Sequence, residues 1–140
     1  DRAGLFHGFT WERGQYTTVD APGAAVTSPV ASNDRGQILG LRAGDAADIG
    51  SATVFVLDRG RVTDIAAPDD RFPFPLDINN RGQILIATFD LANPQASVRS
   101  FLLTGGRFTE IDRPGTANTL AAGLDDAGRV VGAAGDLTYE

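Results

Sequence analysis

The chain superposes on itself when shifted by 46 residues, with no insertion or deletion. Asn33-Asp34-Arg35-Gly36-Gln37-Ile38-Leu39 returns as Asn79-Asn80-Arg81-Gly82-Gln83-Ile84-Leu85, and again as Asp125-Asp126-Ala127-Gly128-Arg129-Val130-Val131. The same shift aligns Phe9 with Phe55 and Phe101, Gly14 with Gly60 and Gly106, and Pro22 with Pro68 and Pro114. A period of this size means that one supersecondary unit has been copied, so any fold must be built from that unit. Units at 1–46, 47–92 and 93–138 make residues 1–140 a single repeat domain.

Seventeen glycines and seven prolines interrupt short apolar runs, which predicts many short strands joined by turns, an all-β chain. Each unit reads as two hairpins. The first runs from Leu5 to Trp11 and from Gln15 to Asp20, with a three-residue loop that ends in Gly14; its later copies flank Gly60 and Gly106. A left-handed residue after a type I turn suits a glycine. Proline-bearing connections follow at Ala21 to Pro29, Ala67 to Pro75 and Arg113 to Leu120, and are predicted as loops because proline cannot donate to a ladder. The second hairpin turns at the Asn/Asp-x-x-Gly motif, where the Asn or Asp side chain bonds the backbone two residues on.

Phe55-Val56-Leu57, Phe101-Leu102-Leu103 and Ile84-Leu85-Ile86 are apolar on successive residues, so these strands are expected to be covered on both faces. That pattern suits four-stranded β-propeller blades sandwiched between neighbours; a β-trefoil is the alternative. The phase of the repeat predicts blades at about 30–65 and 76–111, with half-blades at 5–19 and 122–132. Three blades are too few to close a ring of the usual four to eight. Half of a six-bladed ring, completed by a homodimer, or a segment of a longer propeller flanked by further repeats is therefore expected. The absence of methionine suggests a processed form or an excised piece.

Read across one unit, His7-Gly8-Phe9-Thr10-Trp11, the turn Gly14, Thr17-Thr18-Val19 and Ser32-Asn33-Asp34-Arg35-Gly36-Gln37-Ile38-Leu39-Gly40 resemble the HAF family of bacterial extracellular repeats. Gly8 departs from the family's His-Ala-Phe, and the later copies read Thr53-Val54-Phe55 and Arg99-Ser100-Phe101. The resemblance implies an exported, extracellular or periplasmic protein of tandem repeats with no assigned catalytic activity.

The net charge of −6 argues against nucleic acid as a partner, and no apolar run approaches the roughly 20 residues of a membrane span. Without cysteine there is neither disulfide nor thiolate metal site. His7 is the one histidine and is read as packing; no Gly-x-Ser-x-Gly occurs. Asp34, Asp125 and Asp126 sit at the repeated turns, but each turn offers one or two oxygens where calcium takes six to eight. Asp45 and Asp48, or Asp69 and Asp70, read as solvated loop, and no cofactor is expected. Trp11 and Tyr16 align with Leu57, Leu103, Val62 and Phe108, which predicts core. Function is expected where the copies differ, in the loop Asp69-Asp70-Arg71-Phe72-Pro73-Phe74-Pro75. Asp69, Asp70, Arg71, Phe72 and Phe74 are the candidate ligand-binding residues of a non-catalytic, lectin-like binding module, with a carbohydrate or another protein as partner. A structural repeat for assembly or surface display, and a propeller hydrolase related to phytases, are the alternatives.

Overall fold

Two kinds of turn set the register of every hairpin in the computed structural model, which describes residues 6–136. At Arg13-Gly14, Arg59-Gly60 and Gly105-Gly106, two successive residues take positive φ, from 50° to 83°. That is the two-residue type I′ turn, whose twist matches the strands it joins. It connects β1 (Gly8–Glu12) to β2 (Gln15–Val19), β5 (Thr53–Asp58) to β6 (Arg61–Ile65) and β9 (Arg99–Thr104) to β10 (Arg107–Ile111). The expected three-residue loop is corrected here, because Glu12, Asp58 and Thr104 stay in the ladder and pair with Gln15, Arg61 and Arg107. Leu5, the expected start of the first strand, lies outside the described residues.

The three-residue loop with a left-handed glycine occurs instead at the repeated motif. Asn33 donates its N–H to the Gln37 carbonyl, and the N–H of Gly36, at φ 77°, donates to the Asn33 carbonyl. Equivalent bonds close the turns at Asn79 and Asp125. These turns join β3 (Val26–Ser32) to β4 (Ile38–Ala43), β7 (Phe72–Ile78) to β8 (Ile84–Phe89) and β11 (Asn118–Leu124) to β12 (Val130–Gly135).

Among the described residues the strands pair antiparallel, β3-β4-β5-β6 and β7-β8-β9-β10 with four strands each and β1-β2 and β11-β12 with two, and Phe6 adds an isolated parallel bridge to Val26. A short 3-10 turn at Ile49–Ser51 interrupts the first linker. Among the described residues no helix is long and apolar enough to cross a membrane.

The proline-bearing connections are shorter than expected. β3, β7 and β11 begin at Val26, Phe72 and Asn118, so Pro29, Pro73 and Pro75 lie within strands. Each of these strands is at the edge of its sheet, where a missing N–H can face away from the ladder. Each also slips register at the equivalent place, between Pro29 and Ala31, Pro75 and Asp77, and Ala121 and Gly123. The bulge leaves Val30, Leu76 and Ala122 out of register, whereas the prolines stay opposite Gly40, Thr88 and Ile86.

Sheets lie against one another in sequence order: β7 packs on β3, β4 and β5, and β11 packs on β7, β8 and β9. The core between the two four-stranded sheets is Leu39, Val54, Val56, Ile78, Ile84 and Ile86, all at most 9% exposed. In β8 the residues from Ile84 to Thr88 are all buried, so both of its faces are covered. Phe55 is completely buried and Phe101 nearly so, but their counterpart Phe9 is 62% exposed. Trp11 and Tyr16, expected in the core, are 59% and 73% exposed. Their aligned partners are half-buried beside neighbouring strands that, among the described residues, the two-stranded β1-β2 sheet lacks.

Two stability measurements by urea unfolding follow from this packing. Leu85→Ala, at a fully buried position, is expected to cost about 2–5 kcal/mol. Arg59→Asn, at φ 52°, should stabilise by roughly 0.5 kcal/mol, because asparagine enters the left-handed region more readily and suits a type I′ turn.

Candidate functional site

The three repeated turns touch one another. Asn33 Nδ2 donates to the Asn79 carbonyl and Asn79 Nδ2 to the Asp125 carbonyl, both at 2.9 Å. One position on, the N–H of Asp34 donates to Asn80 Oδ1 at 2.7 Å and the N–H of Asn80 to Asp126 Oδ1 at 2.8 Å. The Asn80 amide then reaches both Asp34 Oδ2 and Asp126 Oδ2. Within each turn the first side chain is saturated: Asn79 Oδ1 accepts from the N–H groups of Arg81 and Gln83, and its amide also donates to Gln83 Oε1. In the third copy both members of the Asn–Gln pair change together, and Arg129 Nε donates to Asp125 Oδ2. The motif therefore joins sheets as well as turning the chain, a role that its turn chemistry alone did not reveal.

The loop singled out by its divergence is tied down by charge. Asp69 Oδ2 accepts from Thr88 Oγ1 at 3.1 Å and from Arg99 Nη1 at 3.0 Å, and Asp69 Oδ1 accepts from the N–H of Arg71. Arg71 Nη1 donates to the Ser97 carbonyl at 2.6 Å. Arg99 further makes a two-pronged pair with Glu110, both arms at 2.9 Å, and lies over the Phe101 ring at 5.2 Å. In the other copies a threonine does this work: Thr27 Oγ1 accepts from the N–H of Ala21, and Thr119 Oγ1 from that of Arg113. Pro73 takes that position in the second copy, where Asp69 ties the connection through Arg71, Thr88 and Arg99.

Of the five candidate residues, Asp70, Arg71 and Phe72 line one open cleft of about 480 Å³ with Asp90 and Leu91. Asp69 is turned inward, its side chain 13% exposed. Phe74 packs edge-on against Phe89 with ring centres 6.5 Å apart. Phe72 and Phe74 both belong to β7 and not to a loop, which corrects the expected setting of the site.

A second cleft escaped the reading of the sequence. About 460 Å³ in volume and strongly apolar, it is lined by Phe6, Val26, Leu41, Ala43 and Ile49 among others. The equivalent positions of the third copy, including Val98, Asn118 and Ala133, line an opening of about 300 Å³. In the second copy the aligned positions carry Phe72, Phe74 and Phe89. Their size makes the rings of the second copy fillers of a groove that is open in the other two. Comparing residue volumes at aligned positions would have found it.

His7 Nδ1 lies 2.8 Å from Asp20 Oδ1, with both side chains about half exposed. Asp45 Oδ1 accepts from the N–H of Ala47, as a loop residue does. Among the described residues no group of three or more histidines and carboxylates is gathered as a metal would require.

Three carboxylates are held below their ordinary range. A hydrogen bond from Arg42 lowers Asp64, one from Arg99 lowers Glu110, and the N–H of Arg129 lowers Asp125. A depressed carboxylate stabilises the fold above its unfolded pKa and loses that contribution as pH falls through the folded value. Stability should thus decline below the ordinary values of 3.8 for aspartate and 4.5 for glutamate. Urea midpoints measured downward from pH 7 check the direction, and Arg99→Gln should make the acid loss smaller. Asn79→Asp tests the contact between turns, since it turns a donor into a charged acceptor facing Gln83 Oε1 and the Asp125 carbonyl. At a position 3% exposed, it should cost about 3–5 kcal/mol.

No family model matches the chain, and no curated protein matches it. Among solved structures it is similar to an acylaminoacyl peptidase of Pyrococcus horikoshii, with a TM-score of 0.63 and 18% identity over 95% of this chain. The chain spans about 20% of that protein's length. At that identity the likeness is one of fold alone: antiparallel β-sheets in a shared arrangement.

Proposed function

We propose that the chain is a segment of a β-propeller that serves as a non-catalytic binding module, with carbohydrate as its ligand at the cleft of Asp70, Arg71 and Phe72. Four-stranded sheets packed on their neighbours support reading each as a blade, in preference to a trefoil. The observation that carries the binding reading is the position of the cleft. It opens where the second copy departs from the others, beside a loop that Asp69 and Arg71 hold in place. A half-buried ring next to the carboxylates of Asp70 and Asp90 offers an apolar plane and acceptors for hydroxyl groups. The resemblance to the HAF repeats supports action outside the cytoplasm.

Glycan-array binding, followed by calorimetry on the best ligand, tests this reading. Phe72→Ala is expected to weaken binding about tenfold, the equivalent of ~1.4 kcal/mol. Arg71→Ala should do the same by releasing the wall that Ser97 anchors. Binding to no glycan would leave the structural, assembly reading ahead; calcium-dependent phosphate release from phytate would move the protein to the hydrolases.

A further inference from the structure

Each two-stranded sheet at the ends of the array matches one half of a four-stranded sheet. In both complete sheets the second hairpin of one unit pairs with the first hairpin of the next: Ile38 lies opposite Leu57 and Gly40 opposite Phe55, and one repeat later Ile84 lies opposite Leu103 and Ile86 opposite Phe101. β12 carries the equivalents of β4 and β8, but among the described residues β11 is its one neighbour. β1 carries the equivalents of β5 and β9, with β2 as its one neighbour among them.

We propose that a second copy of this chain completes both half-sheets, with β1 of one molecule adding to β12 of the other. Carried over from the internal sheets, the register places Val130 opposite Trp11, Val131 opposite Thr10, Gly132 opposite Phe9 and Ala133 opposite Gly8. Two complete sheets from each chain and two composite ones make a closed ring of six sheets, within the usual four to eight blades. A head-to-tail interface of this kind forms a finite ring when the rotation closes.

Three observations point to a copy of this chain as the occupant. First, Phe9 is 62% exposed, whereas its counterparts Phe55 and Phe101 are fully buried and 6% exposed. Second, the seat is already shaped. A Cβ on Gly40 would meet the Ser28 carbonyl and Pro29 Cα of β3 and, at 3.1 Å, Phe55 Cε1; Gly132 repeats that glycine on β12 against the Leu120 carbonyl and Ala121 Cα of β11, with the phenylalanine side left open. An open hollow of about 360 Å³ lies around Gly132, Ala121 and Val130. Third, among the described residues β1 and β12 each have one strand neighbour, where β5 and β8 have two, which leaves an edge that a strand of matching register satisfies.

The joint between copies differs from the internal joints in two ways. Asp125 has no amide to donate to Asn33 of the second copy, as Asn33 and Asn79 donate within the chain. Asp126 meets Asp34 of the second copy without an amide such as that of Asn80 between them. Pairing should therefore tighten as salt screens the two carboxylates. This inference is independent of the glycan reading, and either can fail alone.

Sedimentation equilibrium of the full chain tests it directly. The expected result is a mass twice 14.7 kDa, dissociating on dilution. Trp11 is the one tryptophan, so its emission should shift to the blue as the dimer forms. Phe9→Asp, a change at a position exposed in the single chain, should abolish the dimer and leave the circular dichroism unaltered. Asp125→Asn with Arg129→Gln makes the third turn like the first two, and should tighten the dimer about tenfold through the restored bonds. A monomer at the highest soluble concentration overturns the proposal, as does a ladder of longer oligomers. A dimer that keeps its affinity in both variants also overturns it, since the interface would then lie elsewhere.

Discussion

Everything in this array hangs from the side chain of Asn79. Buried at 3% exposure, it accepts from two backbone N–H groups of its own turn, donates to Gln83, and donates to the carbonyl of the following turn. Only an amide does all of this, because the position needs an acceptor on one side and a donor on the other. The acceptor fixes where the hairpin reverses, and with it which residues of β7 and β8 face the core. The donor fixes how far one sheet is displaced from the next. A buried polar group of this kind is costly when unpaired, so its complete pairing specifies one arrangement against neighbouring ones.

The repeat makes that specification cumulative. Asn33 does for the first joint what Asn79 does for the second, and the donors run in one direction, from lower to higher residue number. Asp125 ends the series: it accepts in its own turn as the asparagines do, but its second oxygen takes Arg129 Nε and nothing is left to donate. The paired change from Asn–Gln to Asp–Arg is thus a local exchange of a neutral bond for an ionic one, with the loss of the outward donor as its structural consequence. Apolar packing supplies the larger stabilisation, through Leu39, Val54, Ile78 and Ile86 between the sheets. Packing of such residues tolerates sliding, and the amide contacts do not.

How much of this was legible in the sequence depended on whether the cause was local. The Asn-x-x-Gly turn could be read because both requirements, an oxygen that bonds two residues on and a left-handed glycine, lie within five residues. The first two type I′ turns gave no such signal, since they place Arg13 and Arg59 at positive φ, which arginine does not favour on its own; only Gly105-Gly106 of the third copy carries the residues that turn prefers. At the arginines the twist of the paired strands overrides the preference of the turn residue. Pro73 and Pro75 misled for a related reason: proline excludes a central strand but not an edge strand with a bulge, and edge position is a tertiary fact. Of the candidate site, the divergence of the loop was visible. The inward turn of Asp69 was not, because Arg99 and Thr88, which hold it, lie 30 and 19 residues away.

The exposed Trp11 and Tyr16 carry the last step. Alignment assigns them to the core, and they lie on the surface. The local reasons for burial are intact: β1 and β2 pair in the same register as β5 and β6, and Phe9 meets Tyr16 edge-on at 5.5 Å just as Phe101 meets Phe108 at 6.2 Å. What differs is that, among the described residues, no further strand covers the hairpin, so the exposure belongs to its position in the array and not to its sequence. An aromatic surface of this kind is costly in water, and the chain carries the complementary edge in β12, at the other end of the array. The pattern that buries Phe55 within one chain is the pattern that would bury Phe9 between two.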